Sequence, residues 1–281
     1  MSDPLVSTAW LAEHLRDPDV RVFDAAYRMP ALRPPHARDD YAQRHIPGAV
    51  FFDVDDISDR GNPLPHMLPT DEQFACDVGA LGIGDDDLVV VYDRGDYTGA
   101  PRAWWMFRVF GHDRVKVLDG GLKKWTADGH ATDAEIVMPA PRAYSARLDA
   151  TRVRNRAQLV ANVQTPTEQV VDARTRERYE GKVAEPWPGR RSGRIPGSLN
   201  VPFMDLINAD ATMKSPGELR RIFEAASVDL QKPIVTSCGS GITAGAVSLA
   251  LARLGVVTAL YDGSWSDWGL PDGPPIATGP A

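Results

Sequence analysis

Residues 233–243 read Pro-Ile-Val-Thr-Ser-Cys-Gly-Ser-Gly-Ile-Thr and place Cys238, one of only two cysteines in the chain, between a strand-like and a helix-like segment. The run before Cys238 is apolar and β-branched, as in a buried strand. After it, Val247, Leu251 and Leu254 recur at helical spacing. A strand, a short loop and a helix in this order predict an α/β domain with Cys238 in the loop.

The composition of this loop favours a reactive thiol. Gly239 and Gly241 carry no side chain, so the loop is able to turn its backbone N–H groups inward, and the start of the following helix adds partial positive charge. Such surroundings stabilise a thiolate or another sulfur anion. We therefore interpret Cys238 as a nucleophile, the alternative being a small buried cysteine in a tight turn.

Three motifs of the first half of the chain return in the second half, between 143 residues (118 to 261) and 149 residues (45 to 194) later. The pairs are VFDA at 22–25 and VVDA at 170–173, HIPGAV at 45–50 and RIPGSL at 194–199, and LDGG at 118–121 and YDGS at 261–264. This internal repeat indicates one duplicated unit, and a length of 281 residues suits two domains.

Short apolar runs alternate with amphipathic segments within each unit. The predicted strands are 21–24, 88–92 and 115–118 in the first unit and 169–172, 233–237 and 257–261 in the second, with a helix at 101–110. This alternation implies a mostly parallel sheet with right-handed crossovers and helices on both faces. We expect an N-terminal domain over 1–133, a linker over 134–151 and a C-terminal domain over 152–281.

The repeat also contains an internal control. The loop after strand 88–92 begins with Asp93, which falls where Cys238 falls in the second unit, so the first unit lacks the nucleophile. Cys76 is expected to be a helix or core residue, because no electropositive pocket is readable around it.

Composition excludes several classes of function. The hydrophobic fraction of 43% is that of a globular protein, while a net charge of -7 without a run of basic residues argues against nucleic acid as a partner. No apolar stretch reaches the roughly 18 residues that span a membrane, and the first residues do not resemble a signal peptide, so we expect a cytoplasmic protein. The two cysteines form neither a C-x-x-C motif nor a Cys/His cluster, and no metal or organic cofactor is expected.

The loop CGSGIT at 238–243 resembles the active-site loop of the 3-mercaptopyruvate sulfurtransferases, a branch of the tandem-domain rhodanese family. Members of that family accept sulfur on the cysteine as a persulfide and pass it to a thiol or to cyanide. The resemblance extends along nearly the whole chain and implies an inactive N-terminal domain and a catalytic C-terminal one. It also implies that the loop binds the substrate through Gly239, Gly241, Ile242 and Thr243.

The same resemblance assigns three further catalytic residues. In this branch a serine lies two residues after the cysteine, and the first domain contributes a histidine and an aspartate, which gives Ser240, His66 and Asp55 here. The histidine is expected to relay a proton to a departing enolate through Ser240, while the carboxylate fixes the histidine tautomer. The alternative for His66 is a surface loop residue between prolines.

Mercaptopyruvate carries a carboxylate, for which a guanidinium group is the natural partner. Arg178 matches the family's carboxylate-binding arginine. The second arginine that is usual in this branch falls on Trp187, so the sequence departs from the pattern there, and Arg190 or Arg191 is left as its substitute. Arg174 is equally consistent with a solvated surface charge.

The leading prediction is a 3-mercaptopyruvate sulfurtransferase that releases pyruvate and passes sulfur to thioredoxin, a low-molecular-weight thiol or cyanide. A thiosulfate sulfurtransferase is the first alternative, but by resemblance it would carry basic residues where Gly239 and Ser240 are neutral. A non-catalytic sulfur-relay or binding module is the second. A cysteine phosphatase or arsenate reductase requires an arginine at the end of a longer loop, and Ala244 stands six positions after Cys238.

Overall fold

The computed structural model describes residues 3–29 and 35–280 and divides the chain into two compact units. The first unit contains Met1–Arg60, Leu68–Asp149 and Asn208–Met213, and the second contains Gly61–Met67, Ala150–Ile207 and Lys214–Ala281. Residues 134–149, predicted as a linker, thus group with the first unit. The predicted domain boundaries remain a prediction.

The first unit is built on a parallel five-stranded sheet with the order β1-β5-β4-β2-β3. Its strands are β1 (Leu5–Val6), β2 (Val20–Asp24), β3 (Val50–Phe51), β4 (Leu88–Tyr92) and β5 (Val115–Leu118). Its helices are α1 (Thr8–His14), α2 (Ala37–Gln43), α3 (Asp71–Ala80), α4 (Gly99–Val109) and α5 (Gly121–Ala127).

The second unit repeats this topology, with a parallel sheet in the order β6-β10-β9-β7-β8. Its strands are β6 (Val153–Arg154), β7 (Gln169–Asp172), β8 (Leu199–Asn200), β9 (Ile234–Ser237) and β10 (Ala259–Tyr261). Its helices are α6 (Arg156–Gln164), α7 (Arg176–Tyr179), α8 (Pro216–Ala225), α9 (Ala244–Arg253) and α10 (Ser264–Trp268), and 3-10 turns lie at Ala150–Arg152 and Phe203–Leu206.

The predicted α/β fold with two like domains is confirmed, and the strand register shows which residues of the repeat correspond. Asp24 lies opposite Tyr92 in the first sheet, and Asp172 lies opposite Ser237 in the second. Because Asp93 and Cys238 directly follow these strands, they occupy the same place at the carboxyl edge of their sheets. The predicted helix at 101–110 begins two residues earlier, at Gly99, where a side chain would collide with the carbonyl oxygen of Ala25.

Equivalent positions of the repeat build the two cores. In the first unit Leu11, Ile46 and Trp125 pack together with Tyr92 and Leu122. In the second unit the corresponding cluster contains Leu159, Ile195, Tyr261, Trp265 and Trp268. Burial of the large aromatic side chains provides much of the apolar area removed from water in each unit.

In each unit an isolated antiparallel bridge lies at the start of the HIPGAV or RIPGSL motif. These bridges join His45 to Asp133 and Arg194 to Ala277. The buried His45 ring stacks on Tyr41, and Nδ1 lies 2.7 Å from the Tyr41 carbonyl oxygen.

Within the described residues, no helix is long and apolar enough to cross a bilayer.

The buried carboxyl group of Asp24 makes the stability of the first unit depend on pH. Burial raises the pKa of Asp24 to about 6, although the Arg94 guanidinium, 2.8 Å away, opposes the shift. Because the folded state holds this proton more tightly than the unfolded state, the contribution of Asp24 to stability is present below about pH 4 and is lost as the pH rises through 6.

We expect Asp24→Asn to remove this dependence. Relative to wild type, the free energy of unfolding of the variant should improve by on the order of 3 kcal/mol between pH 4 and pH 7, as measured by urea denaturation at both values. A difference between the two proteins that stays constant with pH, or that changes in the opposite direction, would contradict this assignment.

Candidate active site

Cys238 lies at the carboxyl edge of the second sheet, directly after β9, and is 1% exposed. Its N–H donates to Ser264 Oγ at 3.1 Å, and its carbonyl oxygen accepts from the N–H of Trp265 at 3.0 Å. The carbonyl oxygen of Gly239 accepts from the N–H of Ser266 at 2.7 Å. The beginning of α10 therefore fixes the backbone on which the thiol is carried.

Ser264 is a candidate site residue that the sequence analysis did not identify. It has a left-handed backbone, with φ of 46°, and its repeat counterpart Gly121 has φ of 54°. Its hydroxyl oxygen lies 2.8 Å from the Tyr261 carbonyl oxygen and 4.0 Å from Cys238 Sγ. The hydroxyl has one proton to donate, and the shorter distance favours a hydrogen bond to the Tyr261 carbonyl oxygen. The change from LDGG to YDGS in the repeat was the available signal, because a serine replaces a glycine at a strained position.

The two glycines of the loop are needed for different reasons. Gly241 has φ of 81°, in the left-handed region that favours glycine. Gly239 has an ordinary φ, but a Cβ there would lie 2.8 Å from Arg178 Nη2. The guanidinium group of Arg178 therefore packs directly on the residue that follows Cys238.

The rest of the loop leads straight into α9. Ser240 and Ile242 are buried, and Thr243 is half-buried. The carbonyl oxygens of Ile242 and Thr243 accept the first backbone hydrogen bonds of this end of the helix, at 3.0 and 3.1 Å. The N-terminus of α9, with its partial positive charge, thus begins next to the cysteine loop, as the sequence predicts.

Arg178 is 19% exposed and lies on the short helix α7. Its Nε and Nη2 atoms donate to Oε1 and Oε2 of Glu185, at 3.2 and 2.5 Å. The predicted carboxylate-binding arginine is thus held beside the cysteine loop by a bidentate ion pair. Glu185, which the sequence analysis did not identify, is the residue that orients it.

The two predicted substitute arginines have different surroundings. Arg190 Nε donates to the carbonyl oxygen of Ser266 at 2.8 Å, which places Arg190 near the turn that holds the cysteine loop. Arg191 Nη2 donates to the carbonyl oxygens of Trp268 and Pro274, at 3.0 and 2.7 Å. Arg191 therefore binds backbone at and beyond the end of α10, whereas Arg190 binds the residue whose N–H contacts the cysteine loop.

His66 groups with the second unit, although it precedes the first repeat's β4 in sequence. It is buried, which argues against the alternative of a surface loop residue, and its φ of 59° is left-handed. Its ring meets the ring of Trp187 edge-on, at 6.0 Å between centroids. Trp187, which stands where the family pattern has an arginine, is therefore a neighbour of the predicted proton relay.

Asp55 belongs to the first unit and lies with His36 and Asp53, their nearest ligand atoms being within 4.8 Å of one another. The sequence analysis did not predict this set, whose atoms are of the kind that bind metal ions. Asp53 already accepts a hydrogen bond from Arg38 Nη2 at 3.1 Å, which supplies a positive charge. The pairing of Asp55 with His66 stays a prediction.

In the first unit, the equivalent loop directs backbone N–H groups at a side chain of its own. The carboxylate of Asp93 is buried and accepts hydrogen bonds from the N–H groups of Gly95, at 2.9 Å, and Ala100, at 3.2 Å. Burial raises the pKa of Asp93, and these N–H donors oppose that shift. Backbone amides at this edge of the sheet therefore surround an acidic group where the second unit has sulfur.

Comparison with known proteins agrees with this geometry. The family model of the rhodanese-like domain matches residues 7–128 and 155–270. The thiosulfate sulfurtransferase of Cricetulus griseus is 45% identical over 94% of this chain and 91% of its own length. The 3-mercaptopyruvate sulfurtransferase of Escherichia coli is 42% identical over 94% of both chains.

A solved structure is similar over the same extent. The crystal structure of SseA from Escherichia coli, a 3-mercaptopyruvate sulfotransferase, has a TM-score of 0.87 at 40% identity. The match covers 99% of that chain and 94% of this one. Both copies of the domain are matched, and the relatives transfer sulfur. The chain belongs to the rhodanese family, as a two-domain member of its sulfurtransferases.

Proposed function

We propose that the protein is a 3-mercaptopyruvate sulfurtransferase with Cys238 as its nucleophile. The observation that carries the proposal is the packing of the Arg178 guanidinium on Gly239, one residue from the thiol, in a loop whose own side chains are neutral. A single guanidinium group beside the sulfur suits a donor with one carboxylate.

The first half of the reaction moves one sulfur atom onto the enzyme. The Cys238 thiolate attacks the thiol sulfur of mercaptopyruvate, an S–S bond forms, and the C–S bond breaks with its electron pair left on carbon. The products are Cys238 persulfide and the enolate of pyruvate, which takes up a proton to become pyruvate. An acceptor thiolate then attacks the outer sulfur and regenerates the Cys238 thiolate.

His66 and Ser240 are proposed to deliver that proton, with Asp55 fixing the histidine tautomer. The burial of His66 and Ser240 supports this role, because a proton relay works best where water does not compete. The role of Asp55 rests on the resemblance alone. Thioredoxin or a low-molecular-weight thiol is the proposed acceptor, and a reducing compartment such as the cytoplasm suits the required free thiol.

A thiosulfate sulfurtransferase is the second candidate, and the names of several relatives favour it. Thiosulfate is a dianion, and the side chains of Gly239 and Ser240 add no positive charge to hold it. A sulfur-relay module without turnover of a small donor is the third candidate.

A comparison of donors with purified protein and a dithiol acceptor tests the proposal. We expect pyruvate to form from mercaptopyruvate, with a higher kcat/KM than for thiosulfate, and Cys238→Ser to abolish transfer from both donors. Intact-mass analysis after addition of the donor should show the gain of one sulfur atom in wild type only.

The exposed Cys76 in α3 provides the matched control. Cys76→Ser should keep most of the activity, so an equal loss in both variants would contradict the assignment of the nucleophile. Absence of pyruvate with wild-type protein would reject the leading proposal. A mass gain on Cys238 without pyruvate would instead identify the relay module.

Ser240→Ala tests the proton relay. When thiosulfate is the donor, sulfite is the leaving group, and no proton has to be delivered to a carbon atom. The variant should therefore lose roughly 100-fold in kcat with mercaptopyruvate and much less with thiosulfate. His66→Asn should do the same, and asparagine tolerates the left-handed backbone at this position. Equal losses with both donors, or a matching fall in melting temperature, would point to a structural role instead.

Gly239→Ala tests the contact with Arg178. The new Cβ would lie 2.8 Å from Nη2, which is too close. We therefore expect the guanidinium group, together with its ion pair to Glu185, to be displaced from the loop. The KM for mercaptopyruvate should rise roughly tenfold, which equals about 1.4 kcal/mol of binding. Gly217→Ala is the control, because a Cβ there meets no atom within 4 Å. An unchanged KM in Gly239→Ala would remove Arg178 from the donor site.

A further inference from the structure

Glu185 is a buried acidic residue that the proposed chemistry does not use. Its side chain is 0% exposed and lies in the loop after α7, and one carboxylate joins two arginines. Oε1 accepts from Arg174 Nη1 at 2.9 Å and from Arg178 Nε at 3.2 Å, while Oε2 accepts from Arg178 Nη2 at 2.5 Å. Glu185 therefore carries its negative charge directly against the guanidinium group that is proposed to hold the donor.

Arg174 prevents this carboxylate from turning away. The fully buried Arg174 side chain donates to both carboxylate oxygens of Asp172 and to the carbonyl oxygen of Gly193, and it stacks over the Trp265 ring at 4.2 Å. Burial alone would lower the pKa of Arg174, yet the carboxylates of Asp172 and Glu185 raise it above its usual value. The alternative of a solvated surface charge is therefore excluded for Arg174, because its side chain is buried and paired.

The charges of this network cancel. Asp172 and Glu185 contribute two negative charges, and Arg174 and Arg178 contribute two positive charges. An anion that reaches Arg178 thus meets an attractive guanidinium group and, directly behind it, a repulsive carboxylate. The carboxylate offsets part of the attraction of the guanidinium group, so a second negative charge on the anion gains less than it would at an arginine without this partner.

We propose that Glu185 is a specificity-determining residue that lowers the positive charge of the Arg178 site and so favours a singly charged sulfur donor over a doubly charged one. This inference rests on the proposed function for the identity of the reaction. Within the described residues, Arg178 Nη1 makes no hydrogen bond, and it is the atom through which the donor carboxylate would be bound. Glu185 acts through Arg178 and does not touch the donor.

The test compares thiosulfate with mercaptopyruvate in wild type, Glu185→Gln and Glu185→Asp. Glutamine keeps the shape but removes the charge, so the ratio of kcat/KM for thiosulfate to that for mercaptopyruvate should rise roughly tenfold. Aspartate keeps the charge and should leave the ratio within about twofold of wild type. A ratio in Glu185→Gln that stays within twofold of wild type overturns the inference.

Glu177→Gln is the matched control, because Glu177 is exposed and lies next to Arg178 in sequence. It removes the same charge without touching the guanidinium group and should not change the ratio. A rise equal to that of Glu185→Gln would show a general effect of net charge and would overturn the specific role of Glu185.

A measurement on the wild-type protein keeps the inference testable if Glu185→Gln does not fold. Sulfate and methanesulfonate have similar shapes but carry two charges and one, and their inhibition constants should agree within about threefold. Tighter inhibition by sulfate of tenfold or more would overturn the inference. If wild type forms no pyruvate, the proposed function fails, and binding of these two anions, followed by calorimetry, still decides whether the site discriminates by charge.

Discussion

The buried guanidinium group of Arg174 is the interaction on which the rest of the candidate site depends. It ties Asp172, at the end of β7, to Glu185 in the following loop and to the face of Trp265. Removing the only partner of a buried charge costs about 3–5 kcal/mol, and Arg174 avoids this cost with two carboxylates, those of Asp172 and Glu185. The same network therefore holds Arg178, the arginine proposed to bind the donor, and, through Trp265, the backbone of the cysteine loop.

The local features of the sequence predict most of the fold. The strands at 88–92, 115–118 and 169–172 are found with the predicted bounds, because buried parallel strands are short apolar runs that end at polar or glycine residues. The repeat predicted that Asp93 and Cys238 are equivalent, and the strand registers confirm that correspondence. Both inferences depend only on residues that are close in sequence or on motifs that return after 143 to 149 residues.

Contacts between distant residues were not predictable in the same way. Glu185 lies in an irregular loop, and nothing in its sequence neighbours indicates that it joins two arginines, one of which is equally consistent in sequence with a solvated surface charge. Ser264 contacts the cysteine only because β10 lies beside β9. Likewise, the grouping of 61–67 with the second unit and of 208–213 with the first follows from packing, which no local pattern records.

The carboxyl group of Asp93 shows how the two copies of the repeat have diverged. Both loops follow equivalent strands, but a carboxylate cannot carry a second sulfur atom, whereas a thiolate can hold one as a persulfide and pass it on. The first loop position thus decides whether a copy of the repeat offers a thiol or a carboxylate at this edge of its sheet. The architecture of the first copy tolerates the carboxylate, because the amides that the loop presents still enclose an acidic group of their own.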